Sequence, residues 1–173
     1  MAGHIDCEPA HALSFGKSHY LGAVEPTNIY LGATQVKRIY LGSVKVWQGW
    51  AAARMNVTAT LQGTGTNWLN VSSVAAADTQ TVMSGTSVVV QGTKAAARVT
   101  VQANVSGGIS PDSRVRIMVN ETVVATSGAN GASFSYSWTG NLKNGDLVRF
   151  QYYGEGNFFS RPTLQTSSYL TIA

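Results

Sequence analysis

Charged residues are scarce in this chain: Asp, Glu, Lys and Arg make up 12% of its 173 residues, about half the share found in an average soluble domain. The single cysteine excludes an internal disulfide bond. No apolar run approaches the roughly 20 residues that span a bilayer, so we expect no membrane insertion. Leu, Glu and Lys are too few for a coiled coil or a helical bundle. Hydrophobic residues nevertheless make up 44% of the chain, which excludes a disordered polypeptide.

The sequence signatures of several functions are also missing. The net charge of +4 is scattered, and no basic cluster exceeds the pair Lys37 and Arg38, so we expect no nucleic-acid binding. The N-terminal residues contain no basic segment followed by an apolar one, so the sequence predicts no secretory signal peptide. A P-loop, a dinucleotide-binding fingerprint and a Gly-x-Ser-x-Gly elbow are absent.

Neutral polar residues alternating with apolar ones dominate the chain after a junction at residues 50–54. In the segment 99–105, for example, Val99, Val101, Ala103 and Val105 alternate with polar residues, a pattern typical of half-buried antiparallel strands. Turn-forming residues separate such segments. The main predicted strands are 55–61, 99–105, 114–119, 133–139 and 147–152, with further candidates at 68–72, 80–83, 87–91, 122–126 and 168–172. The fold class is therefore all-β, and residues 54–173 are predicted to form an antiparallel β-sandwich, either jelly-roll or immunoglobulin-like.

A Tyr-Leu-Gly repeat with a period of ten residues lies at positions 20, 30 and 40. An even period suits a strand, because side chains alternate between the two faces of a strand. An eight-residue strand followed by a two-residue type II′ turn with Gly first fits this spacing. We predict a β-meander within residues 20–50, with strands Asn28–Leu31, Thr34–Leu41 and Val44–Gln48. Such a small meander is marginal alone, so it either docks on a partner or is a purely structural hairpin repeat.

The repeat resembles sequences of a known group of proteins. The string NIYLGATQVKRIYLGSVKVW, residues 28–47, is similar to the repeats of minor tail proteins from tailed phages that infect actinobacteria. This resemblance implies a virion structural protein made in the host cytoplasm, with other tail proteins as partners; a capsid-surface or collar position stays open. The implied docking residues are Tyr20, Leu21, Gly22, Ile29, Tyr30, Leu31, Gly32, Ile39, Tyr40, Leu41, Gly42 and Trp47.

The last sixty residues carry a second resemblance. The segments Val115–Asn120 and Phe134–Trp138, the pair Gly145 and Asp146, and Ser168–Leu170 resemble the end of a C1q/TNF-like jelly roll. That family assembles as trimers, so the resemblance implies a homo-oligomer and places some apolar residues at an interface between subunits.

The residues that could bind a metal are confined to an N-terminal anchoring segment, residues 1–19. His4, Cys7, His11 and His19 have a spacing compatible with zinc or another borderline metal. No other cofactor is indicated. The alternative interpretation is an ordinary solvated tail that docks on a neighbouring tail protein.

The predicted sandwich offers little for catalysis. It contains no His or Cys, and its five carboxylates are far apart in sequence, so a glycosidase pair ranks last among the functions and we expect no enzyme. The segment 152–159 is a candidate contact loop for a glycan or a protein partner through Tyr152, Tyr153, Phe158 and Phe159. The alternative is that these rings pack in the core, as Trp68 and Trp138 are expected to do. The leading interpretation is a structural virion component, and a carbohydrate- or receptor-binding module for host attachment is the alternative.

Overall fold

The computed structural model describes residues 3–6, 11–13, 29–108, 112–156 and 160–173, and of residues 3–6, 11–13 and 46 the backbone alone. Within these ranges the chain is all-β, as predicted, and its strands pair antiparallel. No helix among the described residues is long and apolar enough to cross a lipid bilayer.

The strands fall into two groups along the chain. The N-terminal group comprises β1 (Gly3–Asp6), β2 (His11–Leu13), β3 (Ile29–Leu31), β4 (Thr34–Val36), β5 (Arg38–Leu41) and β6 (Val44–Gln48). The C-terminal group comprises β7 (Ala53–Val57), β8 (Leu61–Gln62), β9 (Leu69–Asn70), β10 (Val74–Ala76), β11 (Val82–Ser84), β12 (Ser87–Val89), β13 (Lys94–Ala103), β14 (Val105–Ser106), β15 (Asp112–Val119), β16 (Thr122–Thr126), β17 (Phe134–Leu142), β18 (Leu147–Glu155), β19 (Thr163–Leu164) and β20 (Tyr169–Ile172).

The C-terminal strands form a jelly roll. Sheet I has the order β10-β7-β20-β13-β17, and sheet II has the order β11-β12-β18-β15-β16, with β9 also pairing with β18. The partners are nested along the chain: β15 with β16, β13 with β17, β12 with β18, and β7 with β20. This nesting is that of two Greek keys folded into one sandwich. The topology confirms the predicted β-sandwich and selects the jelly roll over the immunoglobulin-like arrangement.

Strand alternation builds the core between sheets I and II. In β18, Val148, Phe150 and Tyr152 are at most 1% exposed, and in β13 Val99 and Val101 are fully buried. Each of these residues is two positions from the next, so they share the inner face of their strand. Nineteen buried residues of the described part of the chain make up this continuous core, and the polar residues between them form the outer faces of the two sheets.

The repeat forms hairpins with the predicted turns. Leu31 pairs with Thr34 and Leu41 with Val44, which leaves two residues in each turn. Gly32 and Gly42 have φ of +62° and +63°, whereas the residue that follows each of them has no positive φ. A positive φ at the first central position alone is the mark of a type II′ turn, so this prediction is confirmed.

The prediction of one continuous strand Thr34–Leu41 is wrong. The chain breaks at Lys37, so that β3 and β4 form one sheet while β5 and β6 join the sheet β2-β1-β5-β6. Val36 and Ile39 are three residues apart and would lie on opposite faces of an unbroken strand. The break brings both into contact with one small core around Val36 and Trp47. Burial of these apolar side chains against each other is the physical reason for the interruption.

The N-terminal strand β1 belongs to the same sheet as the third copy of the repeat. Its register with β5 pairs Gly3 with Leu41 and Ile5 with Ile39, and β2 adds on the other side of β1. The segment 3–6 therefore extends the repeat as an additional strand.

Backbone contacts join the repeat to the jelly roll. The Ala51 amide, directly after the repeat, donates to the Gln91 carbonyl of the jelly roll at 3.0 Å. Gly92 has a φ of +77°, and a Cβ at this position would lie 2.5 Å from the carbonyl carbon of Gly49. The backbones at Gly49 and Gly92 therefore lie too close together for any residue other than glycine at position 92.

Candidate interaction surfaces

The predicted metal ligands lie largely outside the described residues. This applies to Cys7 and His19, while the backbone places His4 opposite Ala12 and His11 opposite Ile5 in the β1–β2 pair. Among the residues whose side chains are described, no group of three or more His, Cys, Asp or Glu residues is arranged to hold a metal ion. The N-terminal metal site stays a prediction.

The structure divides the predicted docking residues of the repeat into an inner and an outer set. Ile29, Leu31 and Ile39 pack against the buried pair Val36 and Trp47. Trp47 is only 5% exposed. The prediction that its side chain docks on a partner is therefore corrected, because the ring packs in the core of the repeat. Gly32 and Gly42 form the turns, Tyr40 is half-buried, and Tyr20, Leu21 and Gly22 lie outside the described residues.

Tyr30 and Leu41 form the outer, exposed set, and the structure adds Val44, which is not among the predicted docking residues. Tyr30 is 60% exposed, Leu41 50% and Val44 63%, and Leu41 and Val44 face each other across the second turn. In the described part of the chain only Val82 and Val123, both on the jelly roll, are other large hydrophobic residues with comparable exposure. We call Tyr30, Leu41 and Val44 the exposed repeat side chains.

The predicted aromatic contact loop is corrected at Tyr152. Tyr152 lies within β18 and is fully buried, because the alternation of this strand directs it into the core between Phe150 and Gly154. Its hydroxyl lies 3.2 Å from Ser113 Oγ, and burial raises its pKa. Phe158 and Phe159 lie outside the described residues, and Tyr153 is on the opposite side of β18, at the outer face of sheet II.

Aromatic and cationic side chains interleave on that outer face. Trp68, which was expected in the core, is half-buried there, and its ring centroid lies 5.5 Å from that of Tyr153. The Arg116 guanidinium carbon lies 4.7 Å from the Trp68 centroid, within the range of an attractive cation–π contact. The Arg114 guanidinium carbon is 5.7 Å from the Tyr153 centroid.

A chain of hydrogen bonds crosses the same face. Arg116 Nε donates to Gln151 Oε1, and the Gln151 amide donates to Asn70 Oδ1. Arg149 Nη1 donates to the same Asn70 oxygen at 2.8 Å. The register explains this row, because Gln151 of β18 is paired with Arg116 of β15 on one side and Asn70 of β9 on the other. We call Trp68, Asn70, Arg116, Arg149 and Gln151 the arginine–tryptophan face.

The arginines of sheet II differ in their pairing. Arg114 forms a salt bridge with Asp112, and hydrogen bonding to that carboxylate raises the pKa of Arg114. Arg149 forms a salt bridge with the exposed Glu121. Within the described residues no carboxylate forms a salt bridge with Arg116. Desolvation and then repulsion by Arg149 lower the pKa of Arg116. The positive charge of Arg116 is therefore not compensated by a carboxylate of the described residues.

Two carboxylates that are distant in sequence meet in the fold. Asp112 and Glu155 are directly paired across β15 and β18. Asp112 is engaged by Arg114, and Glu155 accepts a hydrogen bond from the Tyr153 hydroxyl at 2.6 Å. That bond is the main reason why the pKa of Tyr153 is raised, so its hydroxyl is protonated at neutral pH. Both acids thus hold neighbouring side chains of the sheet.

The outer face of sheet I is chemically different. Thr100 Oγ1 and Ser137 Oγ are 2.8 Å apart, and Arg98 donates to the same serine at 3.3 Å. Arg54 lies over the Tyr169 ring at 3.9 Å. This face thus combines hydroxyl groups with two arginines and a tyrosine.

The nested strands define the C-terminal part of the chain as a jelly-roll β-sandwich. No known protein family matches the sequence, and no curated protein matches it. Among solved structures, the chain is similar to Eiger TNF from S. frugiperda, with 13% sequence identity and a TM-score of 0.46 over 71% of this chain and 90% of that chain.

Proposed function

We propose that this protein is a non-enzymatic structural component of a phage virion, a minor tail protein that docks through its N-terminal region and displays the jelly roll. The observation that carries the proposal is the concentration of exposed apolar side chains on the repeat. Tyr30, Leu41 and Val44 are at least half exposed, and Leu41 and Val44 are paired across the second turn. Exposed apolar groups that lie together mark interaction surfaces. The resemblance of residues 28–47 to phage tail repeats supports a phage tail as the assembly on which the repeat docks.

A small core within the repeat supports a docking role. Val36 and Trp47 are buried in it, so the hairpins present Tyr30, Leu41 and Val44 without a partner having to form that core. Aromatic and aliphatic groups of low charge dominate the centres of protein interfaces. We propose other tail proteins as the partners and a homo-oligomer, with the trimer favoured, as the assembled form.

Incorporation into particles tests this proposal. The triple variant Tyr30→Ser, Leu41→Ser, Val44→Ser removes the exposed repeat side chains, and Val82→Ser with Val123→Ser is the matched control on the jelly roll. We expect the triple variant to be depleted at least about tenfold from purified particles, since three lost apolar contacts cost several kcal/mol. Quantitative mass spectrometry of the particles measures this. Equal incorporation of both variants, or absence of the unmodified chain from particles, contradicts the proposal.

Host-surface recognition by the jelly roll is the second candidate function. The observation that favours it is the arginine–tryptophan face, where Arg116 has no salt-bridge partner among the described residues and stacks on Trp68. Docking uses Tyr30, Leu41 and Val44 of the repeat, whereas recognition uses Trp68 and Arg116 of the jelly roll, so the two roles need different residues. Docking and recognition are therefore compatible within one chain.

A further inference from the structure

We propose that the arginine–tryptophan face binds a glycan that carries a carboxylate group, with Arg116 as the carboxylate ligand. The inference deepens the recognition role proposed for this face and rests on it. It does not require that the jelly roll belong to a virion.

The charge balance of the face favours an anion beside Arg116. Desolvation, and after it repulsion by the nearby Arg149, lower the pKa of Arg116. Glu121, the carboxylate that pairs with Arg149, is 69% exposed, and the buried Arg149 Nε has no hydrogen-bond partner among the described residues. A carboxylate at Arg116 would relieve this repulsion, because an opposite charge within a few ångströms stabilises the charged form of the arginine.

The geometry of Arg116 prepares it for a planar ligand. Its Nε is engaged by Gln151, and its guanidinium lies over the Trp68 ring, so the plane of the group is held from two sides. Within the described part of the chain its terminal nitrogens donate no hydrogen bond. These nitrogens form the fork that pairs with both oxygens of a carboxylate.

The neighbouring groups suit a sugar. Asn70 uses its carbonyl oxygen for Arg149 and Gln151, which leaves its amide nitrogen as a donor to a hydroxyl group, and no described residue accepts from it. Trp68 and Tyr153 add apolar ring surface beside the row. Amides, an arginine and aromatic rings in one row match the alternating polar and apolar surface of a sugar acid.

The position of the row argues against an acidic peptide as the ligand. Extended peptides are commonly bound by adding a strand to a free sheet edge. Arg116 and Gln151 belong to β15 and β18, which lie side by side in the interior of sheet II. At Gln151 the other edge of β18 is paired with β9, so no free strand edge is available there. A bound ligand therefore lies on side chains alone, as a compact sugar does.

Titration calorimetry with the full chain tests the inference, using trigalacturonate and its neutral methyl ester as probes. We expect the acid to bind and Arg116→Gln to weaken it at least about tenfold, the effect of losing one charge-assisted pair. Arg98→Gln, on the outer face of sheet I, is the matched control and should bind as the unmodified chain does. Arg116→Lys keeps the charge but not the fork, so it should also bind more weakly. Thermal unfolding of each variant verifies its fold, and Arg116→Lys carries the test if Arg116→Gln does not fold.

The outcomes separate this inference from the function on which it rests. Equal binding of acid and ester, or unchanged binding by both Arg116 variants, overturns the role of Arg116 while recognition of glycans stands. Tighter binding of an oligoglutamate peptide than of trigalacturonate overturns the assignment to a glycan. A chain that binds none of these probes and no sugar on a glycan array overturns the inference and the recognition role together.

Discussion

The jelly roll and the repeat differ in the size of the hydrophobic core that holds each of them together. Among the described residues the jelly roll buries nineteen in one continuous core, whereas the core of the repeat has two, Val36 and Trp47. Small units bury a smaller fraction of their surface and are correspondingly marginal. We therefore expect the jelly roll to be the more stable part, while the repeat depends also on its pairing with β1 and on the junction with the sandwich.

The jelly-roll core provides the largest expected effect. Phe150 is 1% exposed at the centre of β18, and Phe150→Ala should lower the free energy of unfolding by about 3–5 kcal/mol through lost burial and a cavity. Val82→Ala, at an exposed position of the same sandwich, should change it by less than about 0.5 kcal/mol. Chemical denaturation measures both. Similar effects of the two substitutions would mean that the jelly roll has no single dominant core.

The repeat core should behave as a separate unit. Trp47→Ala should remove about 3 kcal/mol of packing but act on the hairpins rather than on the jelly roll. Hydrogen exchange is the measurement: faster exchange is expected at the Ile39 amide, while the Val99 amide in β13 keeps its protection. If Val99 lost protection to the same extent, the two cores would unfold together, and the contrast between them would be wrong.

The junction tests how firmly the two parts are connected. Gly92→Ala introduces a Cβ 2.5 Å from the Gly49 carbonyl carbon at a residue with φ of +77°, and we expect a loss of about 1–3 kcal/mol concentrated at the repeat. Gly85→Ala is the matched control, because Gly85 also has a positive φ but open space around its Cβ position. Equal losses in thermal unfolding would assign the whole effect to backbone conformation.

Local patterns predicted the strands of the jelly roll well. Residues 122–126 were predicted as a strand and form β16, and the period of ten residues in the repeat predicted both type II′ turns. Strands without alternation were missed: β10, Val74–Ala76, exists because it pairs with β7. The break at Lys37 was also missed, since it follows from packing Val36 and Ile39 on one core.

The arginine–tryptophan face was not predictable from the sequence. Trp68 lies in a segment that reads as a strand, and a tryptophan there is expected to be buried. Its contact with Arg116 depends on the register that pairs β9 with β18 and β18 with β15. Sequence patterns do not fix the register between distant strands. The prediction also placed Tyr152 and Tyr153 in one contact loop, although the alternation in residues 147–152 puts Tyr152 on the face of Val148 and Phe150.

The smallest effect is expected at Asp78, in the connection between β10 and β11 on the surface of the jelly roll. Its Oδ1 accepts the backbone amides of Gln80 at 2.9 Å and Thr81 at 2.7 Å, and hydrogen bonding to Thr81 lowers its pKa below the ordinary 3.8. Stability from this charge is present above that ordinary value and is lost as the pH falls through the lower value of the folded state. Asp78→Asn should remove this pH dependence but retain an acceptor for the turn, whereas Asp78→Ala should lose both. Thermal unfolding at a series of pH values distinguishes the variants, and an unchanged acid slope in Asp78→Asn would assign the dependence to another carboxylate.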